Sequence, residues 1–303
     1  MISLSTSAFY ERGTRQIGVL RTRAETLQNQ IGTGNRLERS SDDPVAAARL
    51  RMLERSQRLT EIDSRNSDMA QADLELADQT LRSVADMVIR VRELTVQASA
   101  GTMKDDRRAA IGSEIDGLRS NLLLLANTRN VSGHALFGGQ AAGPAYVDAA
   151  PGATYIGTPS AEALEIGDGH TVLPGMAGPE LFEFDAGAGP TDLFTVFGNL
   201  AELLRAGDPA GGAFAQDSLS LLDSGLEKIT TAQTVVGSRL NWIDLMTERR
   251  VDMGERVANE QADVGGADIA VTIARLQETL TVLEASQSSF VRLSNLSLFS
   301  ILR

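Results

Sequence analysis

The sequence predicts a mainly α fold: an elongated, nested helical coiled coil and bundle with paired N- and C-terminal helices and one small β-rich insert. Three observations carry this. Both ends of the chain show apolar residues at three-four spacing, the 3.5-residue period of helices that pack along a seam. Between Pro44 and Gly101 no Gly or Pro interrupts the chain. Residues 139–213 hold 7 of the 8 prolines and 14 of the 28 glycines, a turn-rich composition.

The C-terminal stretch organises the rest. Ile269, Ile273, Leu276, Leu280 and Leu283 are spaced four, three, four, three, and Gln287 and Phe290 continue the rhythm. Beyond them Leu293, Leu296, Leu298, Phe299, Ile301 and Leu302 spread around much of the circumference. A helix that is apolar all round must be buried, so this stretch asks for a partner helix and then for other molecules. An ordinary bundle core would satisfy the seam equally well. At the other end Tyr10, Gly13, Ile17, Leu20, Ala24, Leu27 and Ile31 alternate three and four. Two seams of similar length pair most economically with each other, antiparallel.

Gly32 and Gly34 end the first helix. Asp43 is placed to cap the second, with Pro44 at its first position, where a missing N–H costs nothing. Leu50, Leu53, Ile62, Met69 and Leu76 mark the face of that helix, continued by Leu81, Val84, Val88, Val91 and Ala98. Thr102 and Asp105 suggest a capping box for a third helix, whose row is Ile111, Ile115, Leu118, Leu122 and Leu125. Within the insert, ATYIG, ALEI, HTVL and LFEFD are short strand candidates, and Asp192 can cap a helix through Leu193, Phe197, Leu200 and Leu204. Leu222, Leu226, Ile229, Gln233, Val236, Leu240 and Ile243 mark a long return helix. Gly265 and Gly266 form its joint with the last. The domains expected are 1–42 with 265–303 as a terminal coiled coil, 43–138 with 214–264 as a helical core, and 139–213 as the outer insert.

Composition narrows the function. There is no cysteine, so disulfide and thiolate chemistry are excluded. His134 and His170 make a poor metal pair, and neither a Gly-x-Ser-x-Gly elbow nor a Walker loop occurs; no enzyme, cofactor or metal is expected. No run of 18 apolar residues exists to span a membrane, and Glu11 and Arg12 break up any secretory signal. Net charge is −12. Residues 1–138 hold 19 Lys+Arg against 18 Asp+Glu, residues 139–213 hold 1 against 10, and residues 214–303 hold 8 against 12. Without a basic patch, nucleic acid is not an expected partner.

The nested plan resembles bacterial flagellin and its junction relatives. GTGNRLERSSDDPVAAARL resembles the segment that joins the two innermost helical layers in that family. TLRSVADMVIRVRELTVQASAGT, DRRAAIGSEIDGL and ANTRNVSGHALFGG match its core helices in order, and VGSRLNWID and LSLFSIL match its C-terminal half. About 230 residues are covered, everything except the insert. DDPVAAA and LSLFSIL are more like the junction branch than flagellin itself, which more often has DDAAGLA and an Ala-Asn-Gln-containing tail.

The resemblance implies a structural subunit, exported unfolded through the flagellar type III apparatus without a cleaved signal and bound beforehand by an export chaperone. It implies assembly outside the cell into a short ring between another junction protein and the flagellin filament. A filament subunit and an unrelated coiled-coil adaptor are the alternatives. The residues expected to make assembly contacts are Ile17, Leu20, Leu27, Ile31, Ile273, Leu276, Leu280, Leu283, Phe290, Leu293, Leu296, Phe299 and Leu302, with Arg36, Asp42 and Asp43 at the joint between layers. The acidic insert is expected to be an exposed outer domain.

Overall fold

The computed structural model describes residues 2–185, 187, 189–207 and 211–301, and the side chains of all of these except 2–7, 9 and 294–301. Helices α1 (Ile2–Thr33), α2 (Pro44–Ala98) and α3 (Asp105–Ala126) lead into the insert. There β1 (Tyr146–Ala149) and β2 (Gly152–Tyr155), β3 (Leu164–Gly167) and β4 (His170–Val172), then the short α4 (Gly178–Phe182), β5 (Glu183–Asp185) and β6 (Pro190–Asp192) follow. Helices α5 (Leu193–Arg205), α6 (Gly211–Gly265) and α7 (Ile269–Ile301) complete the chain. It divides into two compact units, Met1–Arg58 with Asp252–Arg303, and Leu59–Val251.

In the first unit α1 and α7 pair antiparallel. The Tyr10 ring stands edge-on to Phe290 at 5.5 Å between centroids. Gly13 makes room for that ring: a Cβ there would lie 2.9 Å from it. Asp268 caps α7, accepting the Val271 N–H at 3.1 Å.

The second unit holds one large core. Leu81, Val84, Val88 and Val91 of α2, Ile115 and Leu122 of α3, and Leu222, Ile229, Val236 and Ile243 of α6 are buried. The upstream row on α2 is different from the expected one. Ile62 and Met69 are exposed, and Ala70, Leu74 and Ala77 are buried instead.

The insert is not one sheet. It is three separate antiparallel hairpins, β1–β2, β3–β4 and β5–β6. Asp168 and Gly169 turn the second at φ +53° and +74°, the left-handed pair that a tight two-residue hairpin requires. The hairpins lean on helices because a lone two-stranded hairpin is marginal in water. Asn127 acts as a surrogate strand for β1: its side-chain amide donates to Tyr146 O and its carbonyl accepts the Tyr146 N–H, both at 2.9 Å. Arg119, 8% exposed, donates to Asp148 Oδ1 at 2.8 Å and to Gly152 O at 3.0 Å. Asn66 and Arg250 hold β3 by its carbonyls, at 2.8 Å on Glu165 O and 3.1 Å on Ile166 O. Tyr146, Phe182 and Phe194 cluster beneath, with centroids 4.9–5.6 Å apart. Among the described residues the buried Tyr146 hydroxyl finds no hydrogen-bond partner, and burial pushes its pKa up.

The caps divide. Asp43 caps α2, accepting the Ala46 N–H at 3.0 Å, and Asp192 caps α5, accepting the Thr195 N–H at 2.9 Å. The capping box at Thr102 does not form. Lys104 is the N-cap of α3 and makes no side-chain cap bond; Asp105 and Asp106 in the first turn favour that helix through its dipole.

Candidate assembly interface

The pairing of α1 with α7 uses the expected row on α1, whereas on α7 one of the two expected rows is displaced by one residue. On α7 the buried or half-buried positions are Thr272, Leu276, Thr279, Leu283, Ser286 and Phe290. Leu276, Leu283 and Phe290 belong to the expected row. Ile273 and Leu280 do not face the seam and are exposed by 41% and 43%. Small polar residues replace them at the contact, where they allow closer approach. Their hydroxyls cost little there, because Thr272 Oγ1 donates to Asp268 O at 2.6 Å and Thr279 Oγ1 to Arg275 O at 2.7 Å. On α1, Ala24 and Leu27 are buried, and Ile17, Leu20 and Ile31 are half-buried.

Helix α7 therefore keeps apolar surface free on two further faces. Ile269, Ile273, Leu280 and Val291 flank the seam. Val271, Val282 and Leu293, eleven residues apart, flank it on the opposite side. Val271, Val282 and Val291 fall outside the heptad rows of α7 and are therefore invisible to three-four spacing. The eleven-residue repeat was the available signal. Thr281, Glu284, Ser288 and Arg292 are exposed. Of the remaining expected contacts, the side chains of Leu296 and Phe299, and Leu302 altogether, lie outside the described residues.

The joint residues come together as a capped corner. Arg36 Nη2 lies 3.3 Å from Asp43 Oδ2 and donates to Val264 O at 2.9 Å. Asp42 accepts the Arg39 N–H at 2.9 Å. The Ala46 N–H, first, and Arg36 hold the Asp43 carboxyl below the usual carboxylate range. Nearby Arg49 and Glu260 pair between α2 and α6, and that hydrogen bond lowers the Glu260 pKa. Among the described residues no three metal-ligating side chains converge, and no helix is long and apolar enough to cross a membrane.

The relatives of the chain agree with this architecture. The bacterial flagellin N-terminal helical region matches residues 5–142. Flagellar hook-associated protein 3 of Escherichia coli (strain K12) is 27% identical over 98% of both chains. Flagellin of Listeria monocytogenes is 30% identical over 39% of this chain and 41% of its own length. The solved flagellar hook-associated protein 3 of Legionella pneumophila shares the fold, with a TM-score of 0.64 and 14% identity over 71% of this chain and 98% of its own. The chain is thus similar from end to end to a hook-associated protein 3, similar in part to flagellin, and carries over residues 5–142 the bacterial flagellin N-terminal helical region.

Proposed function

We infer that this chain is a structural subunit of the bacterial flagellum, forming the junction between the hook side and the flagellin filament. The end-to-end match to a hook-associated protein 3, where flagellin matches in part only, carries this reading. The second reading is a filament subunit, favoured by those partial matches alone.

Polymerisation would run through the ends of the chain. The exposed rows of α7 are apolar beyond what one partner helix needs, and neighbouring subunits would bury them. In this proposal 1–42 with 265–303 form the inner tube, 43–138 with 214–264 the next shell, and 139–213 the outer surface. Ile17, Leu20, Leu27, Ile31, Leu276, Leu283 and Phe290 would hold the terminal pair. Ile273, Leu280, Leu293, Leu296, Phe299 and Leu302 would meet other copies. The partners proposed are copies of the chain in a ring, another hook-associated protein, flagellin and an export chaperone. The proposed location is extracellular, reached without a cleaved signal, and the role is structural, with no enzymatic step.

Immunogold electron microscopy of detached flagella, with antibody against residues 139–213, tests the reading. One gold cluster at the hook–filament boundary is expected. Label along the whole filament would make the chain a flagellin, and absence of label would remove it from the flagellum.

A further inference from the structure

The last carbonyls of a helix have no intrahelical donor, so a C-terminus must find donors elsewhere. Helix α6 ends at Gly265, and its Val264 and Gly265 carbonyls both find Arg36. The Arg36 backbone N–H donates to Gly265 O at 2.7 Å, and its Nη2 donates to Val264 O at 2.9 Å. The same Nη2 lies 3.3 Å from Asp43 Oδ2, while Asp43 Oδ1 accepts the Ala46 N–H and so caps α2. The far side of the corner is also tied. Gln30 Nε2 donates to Arg36 O at 2.8 Å, and the Ala267 N–H donates to Gly34 O at 2.8 Å. Asn35 and Gly266 form an isolated antiparallel bridge. Four helix ends meet here, those of α1, α2, α6 and α7, all within one compact unit.

We propose that Arg36 is a latch: it caps α6 from 228 residues away while pairing with the N-cap of α2, so that the joint closes only when the two segments around residues 34–43 and 262–268 are both in place. The guanidinium suits this work. It is planar, always charged and carries five donors, so one group can serve a carbonyl and a carboxylate at once. A lysine keeps the backbone N–H but offers a single point charge. With the latch closed, α1 and α7 leave α2 and α6 as one corner; with it open, each turns on its own glycine, Gly34 at φ +72° or Gly266. The latch belongs to the single chain and holds whatever the chain assembles with.

Amide hydrogen exchange on the full chain tests it, reading peptides 258–268 and 28–38 against 222–243 as the internal reference. In Arg36→Met both joint peptides should exchange roughly tenfold faster, the order expected for a lost charge-assisted hydrogen bond, with 222–243 unchanged. Asp43→Asn keeps the cap oxygen for Ala46 and the bond to Val264, so it should raise the rates less. Acceleration of 28–38 alone, or of neither peptide, overturns the proposal and leaves Arg36 an exposed ion pair. Should Arg36→Met unfold the whole chain, Arg36→Lys decides: joint rates above wild type in both peptides support the latch, and wild-type rates overturn it.

Discussion

The two units use one helical rhythm and finish it differently. Between Leu59 and Val251 helices α2, α3 and α6 share one large core, in which Leu81, Val88, Ile115, Leu122, Leu222 and Ile229 are fully buried. Among the described residues of the terminal unit, the α1–α7 pair buries only Ala24, Leu27, Thr272 and Thr279, each still 7–8% exposed, and large aliphatics of α7 stay in solvent. Charge separates the units in the same way. The terminal unit holds 14 Lys+Arg against 13 Asp+Glu, and the middle unit 14 against 27. The middle is thus self-sufficient, strongly acidic and repels its like. The ends are nearly neutral and leave apolar surface exposed, which suits the contacts between copies proposed above.

The comparison breaks if the two units respond alike to substitution. Leu81→Ala removes a fully buried side chain from the middle unit and should cost about 2–5 kcal/mol, read from denaturant unfolding of the full chain. A cost near zero would mean that this core is loose. Arg119→Met should cost about 1–3 kcal/mol, because the buried Gly152 carbonyl loses its donor. The loss should show as faster amide exchange in β1–β2 before any change in α6.

Ile273→Ser combined with Leu280→Ser should shift single-chain stability by only about 0.5 kcal/mol or less per site, as exposed positions do. It should nevertheless abolish sedimentable polymer. Unimpaired polymer would show that this face meets no neighbour. Acid gives the smallest effect. The lowered carboxyls of Asp43 and Glu260 both stabilise the terminal unit, fully so above their unfolded values near ~4. That stability is lost as pH falls below those values through the depressed folded ones. Proteolysis of the terminal unit should therefore rise between about pH 4 and pH 2, and Asp43→Asn with Glu260→Gln should flatten the rise. An unchanged acid profile in that double variant would rule these two carboxyls out as its source.

Much of this was legible in the residues. Helix order, the Asp43 and Asp192 caps, the Gly265–Gly266 joint and the antiparallel pairing of the ends all follow from spacing and cap chemistry. The seam register was legible by half, and the error has one form in three helices. On α3, α6 and α7 one row of the heptad is the expected one: Ile115 and Leu122, Leu222 and Ile229, Leu276 and Leu283. The other row is set by small or polar neighbours one residue away: Gly112 and Ala126, Gly225 and Ala232, Thr272 and Thr279.

Large residues mark where a helix is apolar, whereas small ones mark where it can touch. At Gly112 an added Cβ would sit 2.8 Å from the Ala201 carbonyl, and at Gly225 2.4 Å from Leu193. Such approach depends on the partner surface, which a single helix does not encode. The division of the insert into three hairpins was equally hidden, since short alternating runs do not say which strands adjoin.

That division has a consequence for change over time. The β1–β2 hairpin is fastened by Arg119 and Asn127, and β3–β4 by Asn66 and Arg250, so neither depends on the other for its hydrogen-bonded edge. A continuous sheet can be lengthened only at its margins, because an insertion within it disturbs the register of every neighbour. Separate hairpins can each grow, shrink or take a foreign peptide at the turn, as at Asp168–Gly169, with the cost confined to one hairpin. The insert of this chain can therefore diversify, or be engineered to display a grafted epitope, piece by piece over an unchanged helical frame.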